Sequence, residues 1–324
     1  MLVVTDHSTH SESNSVYQLS RALLHDPRCG TIWVCSKGHQ PNAAFFEGLP
    51  EAEIFAQEVT DLFAFEASGS YFHQAVTPLD RQRFDVILIR MPQPVDAAFL
   101  FSLESIVPPH QIINSPAGIV ETATKAFLMQ VSYLCPEPVL CHSMIEAMDL
   151  SRQKEIVLKP MHSYGGRGIV RLSTDHCWNE NERMPLDQLS SFLSDRHFPM
   201  LAMKFLKNVT QGDKRTIVAN RQILGSALRM PAPGSWMCNV AQGGSALLAE
   251  ADEDEHIIQE ILTPILYRKG VVIFGFDTLV DDDGRRVLSE INTLSIGGLM
   301  PLQEMSGRPI LKKTAELLWD YLKG

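Results

Sequence analysis

The chain has 324 residues, more than one average domain, so two or three packed units are expected. Hydrophobic residues make up 45% of it, enough to bury a sizeable core, which excludes a disordered chain. The formal net charge of −10 disfavours nucleic-acid binding, which usually requires a basic surface, but leaves a small anionic substrate possible.

The first residues, MLVVTDHSTH, lack the basic and apolar regions of a secretory signal. No apolar stretch reaches the roughly 18 residues of a membrane span. We therefore expect a cytoplasmic protein without membrane or nucleic-acid partners, and its six cysteines should be reduced thiols. Cys135, Cys141 and His142 lie close together but lack a C-x-x-C pair, so no metal role is expected for them.

Apolar runs in the first third of the chain predict a small α/β domain. Continuous runs, typical of strands buried on both faces, occur at residues 1–6, 31–35, 84–89 and 111–114. The spacing of Leu19, Leu23 and Leu24 predicts a helix over residues 16–25. Because strands and helical segments alternate, we predict a parallel sheet in a first domain spanning residues 1–117.

The rest of the chain is predicted to form two α+β units, residues 118–200 and 201–324. A turn at Asn114-Ser115-Pro116 separates them from the first domain. Strands are expected at residues 155–159, 168–172, 200–205, 216–219, 271–280 and 286–293. Helices are expected at residues 120–131, 253–269 and 309–323, and a surface loop at residues 179–183.

Two carboxylates are predicted to face each other in the hairpin VVIFGFDTLVDDDGRRVLSEINTL. Asp283-Gly284 is a favoured pair for a type I′ turn, which places Asp277 directly opposite Glu290. Such like-charged pairs are destabilising, and Asn292 lies on the same strand face. Two carboxylates and an amide oxygen are ligands that Mg²⁺ prefers, whereas the alternative is an ordinary solvated strand face.

A second motif is LKPMHSYGGRGIV, in which a lysine precedes a glycine cluster. It matches neither the Walker pattern nor the dinucleotide G-x-G-x-x-G pattern. A strand–loop–strand with consecutive backbone N–H groups can fold over phosphates as a lid, with Lys159 reaching them from beneath. The alternative is a flexible hairpin with a surface lysine.

Four pieces of sequence in this order resemble the ATP-grasp superfamily, and within it prokaryotic glutathione synthetase. They are VLKPMHSYGGRGI, FLKNVTQGDKRTIV, ALRMPAPGSWMCNVAQGGSA and FGFDTLVDDDGRRVLSEIN. The resemblance runs from about residue 84 to the C-terminus. It implies an α/β (α+β) ATP-grasp fold, in which a small N-terminal parallel-sheet domain precedes two α+β subdomains that enclose ATP.

The resemblance also implies the ATP and metal ligands. The phosphates would contact Lys125 and Lys159 under a lid formed by Tyr164, Gly165, Gly166 and Gly168. The backbone of Lys204, Phe205 and Leu206 would meet the adenine edge, and Asp213 would lie beside the ribose. Mg²⁺, with Mn²⁺ as an alternative, would be held by Asp277, Glu290 and Asn292.

The implied reaction joins a small-molecule carboxylate to an amine. ATP first converts the carboxylate to an acylphosphate, and the amine then displaces phosphate. Arg215 and Arg229 would stabilise the transferring phosphate, while amides of Asn239, Gly243 and Gly244 would cradle the intermediate. The family also hints at a homo-oligomer, either a dimer or a tetramer.

Three segments depart from the family pattern. Trp236-Met237-Cys238 stands where an arginine-glycine pair is expected, and residues 90–94 and 294–298 also differ. We interpret these segments as substrate contacts, which makes a γ-glutamylcysteine substrate doubtful. A ligase that adds an amino acid to a peptide or protein terminus, and a non-catalytic nucleotide- or partner-binding descendant, remain alternatives.

Overall fold

A computed structural model of the protein describes residues 1–163, 165–179, 181–238 and 243–323. Within these residues the strands form three sheets that follow one another along the chain, which confirms the predicted α/β class. None of the helices in this part is long and apolar enough to cross a membrane. The helices are α1 (Val16–Leu24), α2 (Ala43–Phe46), α3 (Ser70–His73), α4 (Ala97–Ser102), α5 (Pro116–Thr122), α6 (Met144–Ser151), α7 (Glu253–Arg268), α8 (Leu299–Ser306) and α9 (Ile310–Lys323).

The first sheet is parallel, as predicted, except for one edge strand. Its strands are β1 (Leu2–Thr5), β2 (Trp33–Ser36), β3 (Ala56–Glu58), β4 (Ile87–Arg90) and β5 (Ile112–Ile113). Their order is β3-β2-β1-β4-β5, and only β3 is antiparallel to its neighbour. Alternate residues of β1 enter different cores: Val3 packs with α1 and α9, whereas Leu2 and Val4 pack with α2 and α4. Burial on both faces explains the continuous apolar runs.

The second sheet contains the predicted glycine-rich hairpin. Its strands are β6 (Val139–Cys141), β7 (Ile156–Pro160), β8 (Val170–Leu172), β9 (His176–Asn179), β10 (Glu182–Pro185) and β11 (Met200–Lys204), in the order β10-β9-β8-β7-β11-β6. The surface loop predicted over residues 179–183 is too long, because β9 extends to Asn179 and β10 begins at Glu182. The polar residues belong to an exposed edge strand, whose composition resembles that of a loop. The domain boundary at residue 200 stays a prediction; β11, which begins at Met200, pairs with β7 of the second sheet.

The third sheet is antiparallel and larger than the sequence patterns predict. Its strands are β12 (Asp213–Ala219), β13 (Gln222–Met230), β14 (Ser245–Ala249), β15 (Ile273–Val280) and β16 (Arg286–Asn292), in the order β14-β13-β12-β15-β16. The patterns predict neither β13 nor β14. In β13, Gly225 has a φ of +156° next to a register irregularity at Leu224, which interrupts the alternation expected of a strand.

The β15–β16 hairpin pairs Asp277 with Glu290, as predicted, but through a different turn. Asp281 N donates to Arg285 O at 2.8 Å, which closes a three-residue loop ending in Gly284 at a φ of +84°. This is the common loop with a left-handed glycine at its end, not a type I′ turn. The longer loop shifts the register by one residue, and an irregularity after Asp277 compensates for the shift.

The helix predicted over residues 120–131 is wrong. α5 ends at Thr122, and a 3-10 helix, Lys125–Leu134, begins after Thr124. Thr124 has an extended backbone, and its side chain accepts a hydrogen bond from Ala126 N at 3.4 Å. This cap starts a new segment, although the apolar spacing continues across the break.

Asn114 links the first sheet to the third. It is 3% exposed, and its Nδ2 donates to Ile273 O at 2.6 Å and Thr293 O at 2.7 Å. Its Oδ1 accepts from Val272 N at 2.8 Å and Ile273 N at 3.0 Å. Four buried main-chain groups therefore depend on one side chain.

Asn114→Ala should lower the free energy of unfolding by about 3 kcal/mol or more, because it leaves buried donors and acceptors unsatisfied. Urea denaturation of the purified protein measures this change. Asn181→Ala is the control, since Asn181 is exposed, and should change stability by less than about 0.5 kcal/mol. Equal small effects for both variants would contradict the linking role of Asn114.

Candidate functional site

The third sheet carries a row of charged side chains across one face. β12 contributes Asp213 and Arg215, and β13, β15 and β16 contribute Arg229, Asp277 and Glu290. Asp213 lies opposite Arg229, while Arg215 lies opposite Asp277, which in turn lies opposite Glu290. Directly opposite residues share a face, as do residues two apart in a strand. All five side chains therefore project from the same face.

Asp277 is the centre of this row. It is 1% exposed and accepts hydrogen bonds from Arg215 Nε and Nη2, both at 2.7 Å, and from Arg229 Nη2 at 2.8 Å. Arg229 also donates two hydrogen bonds of 2.6 Å to Asp213. Burial favours a raised pKa for Asp277, but the two guanidiniums outweigh burial and hold that pKa below its ordinary value. The four side chains form a network without net formal charge.

The predicted metal ligands divide into two groups. Asp277 already contacts two guanidiniums, so its negative charge is balanced by Arg215 and Arg229 and not by a metal ion. Glu290, with 22% of its side chain exposed, and Asn292 line one cavity, and Asn292 Nδ2 is buried without a partner among the described residues. The described residues contain no group of three or more His, Cys, Asp or Glu side chains that could hold a metal. The metal assignment stays a prediction.

Two lysines approach Glu290 from the second sheet and its neighbouring 3-10 helix. Lys125 Nζ donates to Ser163 O at 2.5 Å and lies 3.6 Å from Glu290 Oε1. Lys159 Nζ donates to Ser289 O at 2.9 Å. Burial lowers the pKa of Lys159, and Lys125 adds to the shift while Glu290 opposes it. Two cations thus meet one carboxylate, which leaves a local positive charge.

Three cavities lie along this charged face. Cavity A is lined by residues that include Lys159, Gly166, Lys204, Phe205, Leu206, Asp213, Trp236, Met237, Cys238 and Glu290. Cavity B has Gln93, Lys125, Ser163, Gly165, Arg215, Arg229, Glu290, Asn292 and Ser295 among its lining residues. Cavity C lies between β12, β13, β14 and α8, and shares Gly165, Arg215, Arg229 and Gly297 with cavity B.

The glycine-rich loop between β7 and β8 contacts all three cavities. Gly166 lines cavity A, and Gly165 lines cavities B and C. Gly165, Gly166 and Gly168 have φ values of +67°, +79° and +69°, a backbone conformation that favours glycine. Tyr164, the remaining predicted lid residue, lies outside the described residues. A loop in this place can cover both the lysines and the arginines.

Comparison with known families identifies this arrangement. Residues 124–307, more than half of the chain, match the family described as prokaryotic glutathione synthetase, ATP-grasp domain. The protein belongs to this family. As a member, it is an ATP-dependent ligase, which confirms the resemblance noted in the four motifs.

Curated relatives and solved structures agree with this ATP-grasp membership. The glutathione synthetase of Mesorhizobium japonicum is 27% identical over 281 residues, covering 85% of this chain and 85% of that protein. That of Bradyrhizobium diazoefficiens is 29% identical over 250 residues, covering 74% and 73%. The structure of the D-cycloserine synthetase DcsG matches with a TM-score of 0.66 at 12% identity, covering 99% of both chains. At that identity the structural match shows the ATP-grasp fold alone.

The predicted hinge of this ATP-grasp ligase forms one wall of cavity A. Lys204 N donates to Pro136 O at 3.0 Å, and Phe205 N donates to Glu155 O at 2.8 Å. Because these two amides already donate hydrogen bonds within the protein, a hydrogen bond from the hinge to adenine would use the Leu206 amide or a main-chain carbonyl group. The adenine assignment stays a prediction, as does the ribose role of Asp213, whose carboxylate is held by Arg229.

The segment 236–238 lines cavity A beside the hinge, and its interpretation as a substrate contact stays a prediction. Met237 and Cys238 are 3% and 5% exposed, and the Trp236 ring lies 6.0 Å from the Phe205 ring. The arginine-glycine pair expected from the family pattern is therefore replaced in the wall of cavity A, beside the hinge. The other two segments that depart from the family pattern, 90–94 and 294–298, contribute lining residues to cavity B. Arg215 and Arg229 line the same cavity.

The predicted intermediate-binding segment is described only in part. Asn239 lies outside the described residues. Gly243 is exposed with a φ of +86°, and Gly244 is half-buried next to β14. Neither glycine is among the residues that line cavities A, B and C. Their catalytic role stays a prediction.

Arg171 supports the hinge, and sequence reasoning misses it. Its guanidinium carbon lies 3.6 Å from the Phe205 ring centre and 4.2 Å from that of Trp178. Its Nε donates to Glu155 Oε1 at 2.7 Å. Cation–π contacts on both sides fix the position of Phe205 against cavity A. The available signal is a lone arginine between two buried apolar residues of β8.

Asp277→Asn should lower the free energy of unfolding by about 3–5 kcal/mol, because the buried Arg229 and the half-buried Arg215 lose the carboxylate that they share. Asp282→Asn removes a more exposed pair with Lys204, at 2.8 Å, and should cost at most about 1 kcal/mol. Guanidinium chloride denaturation compares the two. Similar costs would mean that the Asp277 network contributes no more than a surface ion pair.

The same comparison has an expected pH dependence. A carboxylate whose folded pKa is depressed contributes stability above its unfolded pKa, near 4, and loses it as pH falls through the folded value. The difference between wild type and Asp277→Asn should stay constant near neutral pH and shrink in acid. A difference that grows in acid would contradict the direction of the pKa shift.

Proposed function

We propose that the protein forms an amide bond between a small carboxylic acid and an amine, using ATP through an acylphosphate. The observation that carries the proposal is the continuity of the three cavities. Glu290 lines both A and B, and Arg215 and Arg229 line both B and C. ATP would extend from cavity A into B, and the acid would meet its γ-phosphate where B joins C.

The lining of cavity A suits a nucleotide. Phe205 and Leu206 provide apolar surface for adenine, and Lys159 stands at the passage to cavity B. Lys125 lines cavity B at the same passage. Phosphate oxygens next to these two ammonium groups would be stabilised, and their charge would favour the protonated form of the buried Lys159.

Glu290 and Asn292 fit a Mg²⁺ or Mn²⁺ ion that accompanies ATP. Both line cavity B, and carboxylate and amide oxygens are the ligands that such hard cations prefer. Asp277 would join them only by releasing a guanidinium. When bound, the ion would neutralise phosphate charge during transfer. In support, the ATP-grasp ligase PsnB has been solved with Mg and ADP.

The reaction needs no side-chain nucleophile. A carboxylate oxygen of the acid attacks the γ-phosphorus, and the bond to the leaving ADP breaks. The amine nitrogen then attacks the carbonyl carbon, inorganic phosphate leaves, and the nitrogen loses a proton to solvent. Arg215 and Arg229 stabilise the charge that develops on the transferring oxygens. The glycine-rich loop excludes the water that would hydrolyse the acylphosphate.

Two further observations support the proposed substrate class and a cytoplasmic location. The relatives named glutathione synthetase support a small acid and a small amine as substrates. All six cysteines are unpaired thiols, as expected for a chain that works in the reducing cytoplasm.

The proposal is tested by ADP release in the presence of ATP, Mg²⁺ and a panel of acid–amine pairs. At least one pair should give ADP and the corresponding amide in equal amounts. Lys159→Met should lower kcat/KM by about a hundredfold or more, because a phosphate contact is lost. Lys312→Met, at an exposed position on α9, should retain activity. Acid-independent ADP release, or full activity of Lys159→Met, would argue against the proposal.

Magnesium dependence is tested by thermal unfolding. ATP with Mg²⁺ should raise Tm by several degrees more than ATP with a chelator, because binding to the folded state stabilises it. In Glu290→Gln this extra rise should fall close to zero, since one metal ligand loses its charge. Glu260→Gln, exposed on α7, should keep the full rise. An undiminished rise in Glu290→Gln would remove its metal role.

A further inference from the structure

Cavity C differs in character from the two cavities beside it. Its lining side chains from β12, β13, β14 and α8 are predominantly apolar. They are Ile217, Ala227, Ala246, Pro301, Leu302 and Met305. The cavity therefore offers hydrocarbon contacts at a distance from the proposed phosphate site.

The charged groups of cavity C are confined to its junction with cavity B. Arg215 and Arg229 stand there, and each is already paired with a carboxylate of the Asp277 network. Among the described residues, no other charged side chain lines cavity C. A second charge on a ligand in this cavity would find no charged partner among these described side chains other than the two arginines.

We propose that cavity C binds the hydrocarbon part of the carboxylic-acid substrate, an acid whose far end carries no charge. This inference rests on the proposed function and deepens it by naming the class of acid. The reacting carboxylate lies at Arg215 and Arg229, and the rest of the molecule extends between the third sheet and α8. The arginines decide the orientation, because guanidinium groups bind a carboxylate and repel a protonated amine.

The lining also discriminates between acids. An apolar chain gains from leaving water, in proportion to the area it buries. A charged far end loses its hydration there without gaining a charged partner among the described lining side chains away from the arginines, which is strongly unfavourable. An acid of the γ-glutamyl type, with a further carboxylate and ammonium group, therefore fits cavity C poorly.

The test uses the full chain with ATP, Mg²⁺ and hydroxylamine, which traps an acylphosphate as a hydroxamate. Pentanoate and glutarate are compared because they have the same chain length and differ in one terminal carboxylate. We expect kcat/KM for pentanoate to exceed that for glutarate by at least about tenfold. Equal values, or a preference for glutarate or γ-glutamylcysteine, would overturn the inference while leaving the proposed ligase chemistry intact. If no acid gave a hydroxamate, both the inference about cavity C and the proposed ligase chemistry would be contradicted.

A charged substitution in cavity C tests whether the hydrocarbon part of the acid binds there. Met305 is half-buried on α8, and Met305→Lys should shift the pentanoate-to-glutarate ratio at least about tenfold towards glutarate. Met305→Leu, which conserves apolar volume, should keep the wild-type ratio. Ile257→Lys, at an exposed position on α7, controls for the added charge. An unchanged ratio in a Met305→Lys protein with wild-type Tm would show that the acid does not occupy cavity C.

Discussion

The carboxylate of Asp277, shared between Arg215 and Arg229, is the interaction on which the rest of the site depends. Two guanidiniums this close would repel each other in a buried setting, and a carboxylate between them turns repulsion into attraction. The network holds both arginines on the sheet face where cavities B and C meet. It also links three strands, since its members come from β12, β13 and β15. The same contacts thus stabilise the third sheet and hold the two arginines in position in the site.

The pleat of β12 keeps this network apart from a second group of buried charges. Lys214, between two site residues, points to the opposite side and contacts Asp252 at 3.0 Å and Glu255 at 2.7 Å. Glu255 is fully buried and forms a capping box with Asp252 at the start of α7. One face of the strand therefore anchors a helix, and the other face carries the charges that line the cavities. Alternation in a strand allows both without competition for partners.

The site lies where the sheets meet, so the contacts between them decide its geometry. Lys159 on β7 reaches the main chain of β16 through Ser289, and Lys125 approaches Glu290 from the 3-10 helix. Asn114 fastens the first sheet to the third through hydrogen bonds to the main chain of residues 272, 273 and 293. The glycine-rich loop contributes lining residues to each of the three cavities. Cavity A shares no described lining residue with the apolar cavity C.

The sequence by itself determined the features that depend on near neighbours along the chain. The parallel first sheet and the glycine-rich hairpin follow from periodicity and turn residues, and the family follows from motifs in order. The opposition of Asp277 and Glu290 was predicted through a type I′ turn, whereas the structure reaches it through a longer loop and a compensating register irregularity. Only the tertiary structure decided which cation contacts Asp277, because its arginine partners come from strands whose register depends on the whole sheet. It also decided that residues 236–238 line cavity A beside the hinge. The break after α5 and the strands β13 and β14 were missed for a related reason. Their patterns are ambiguous locally and are resolved by packing between segments far apart in sequence.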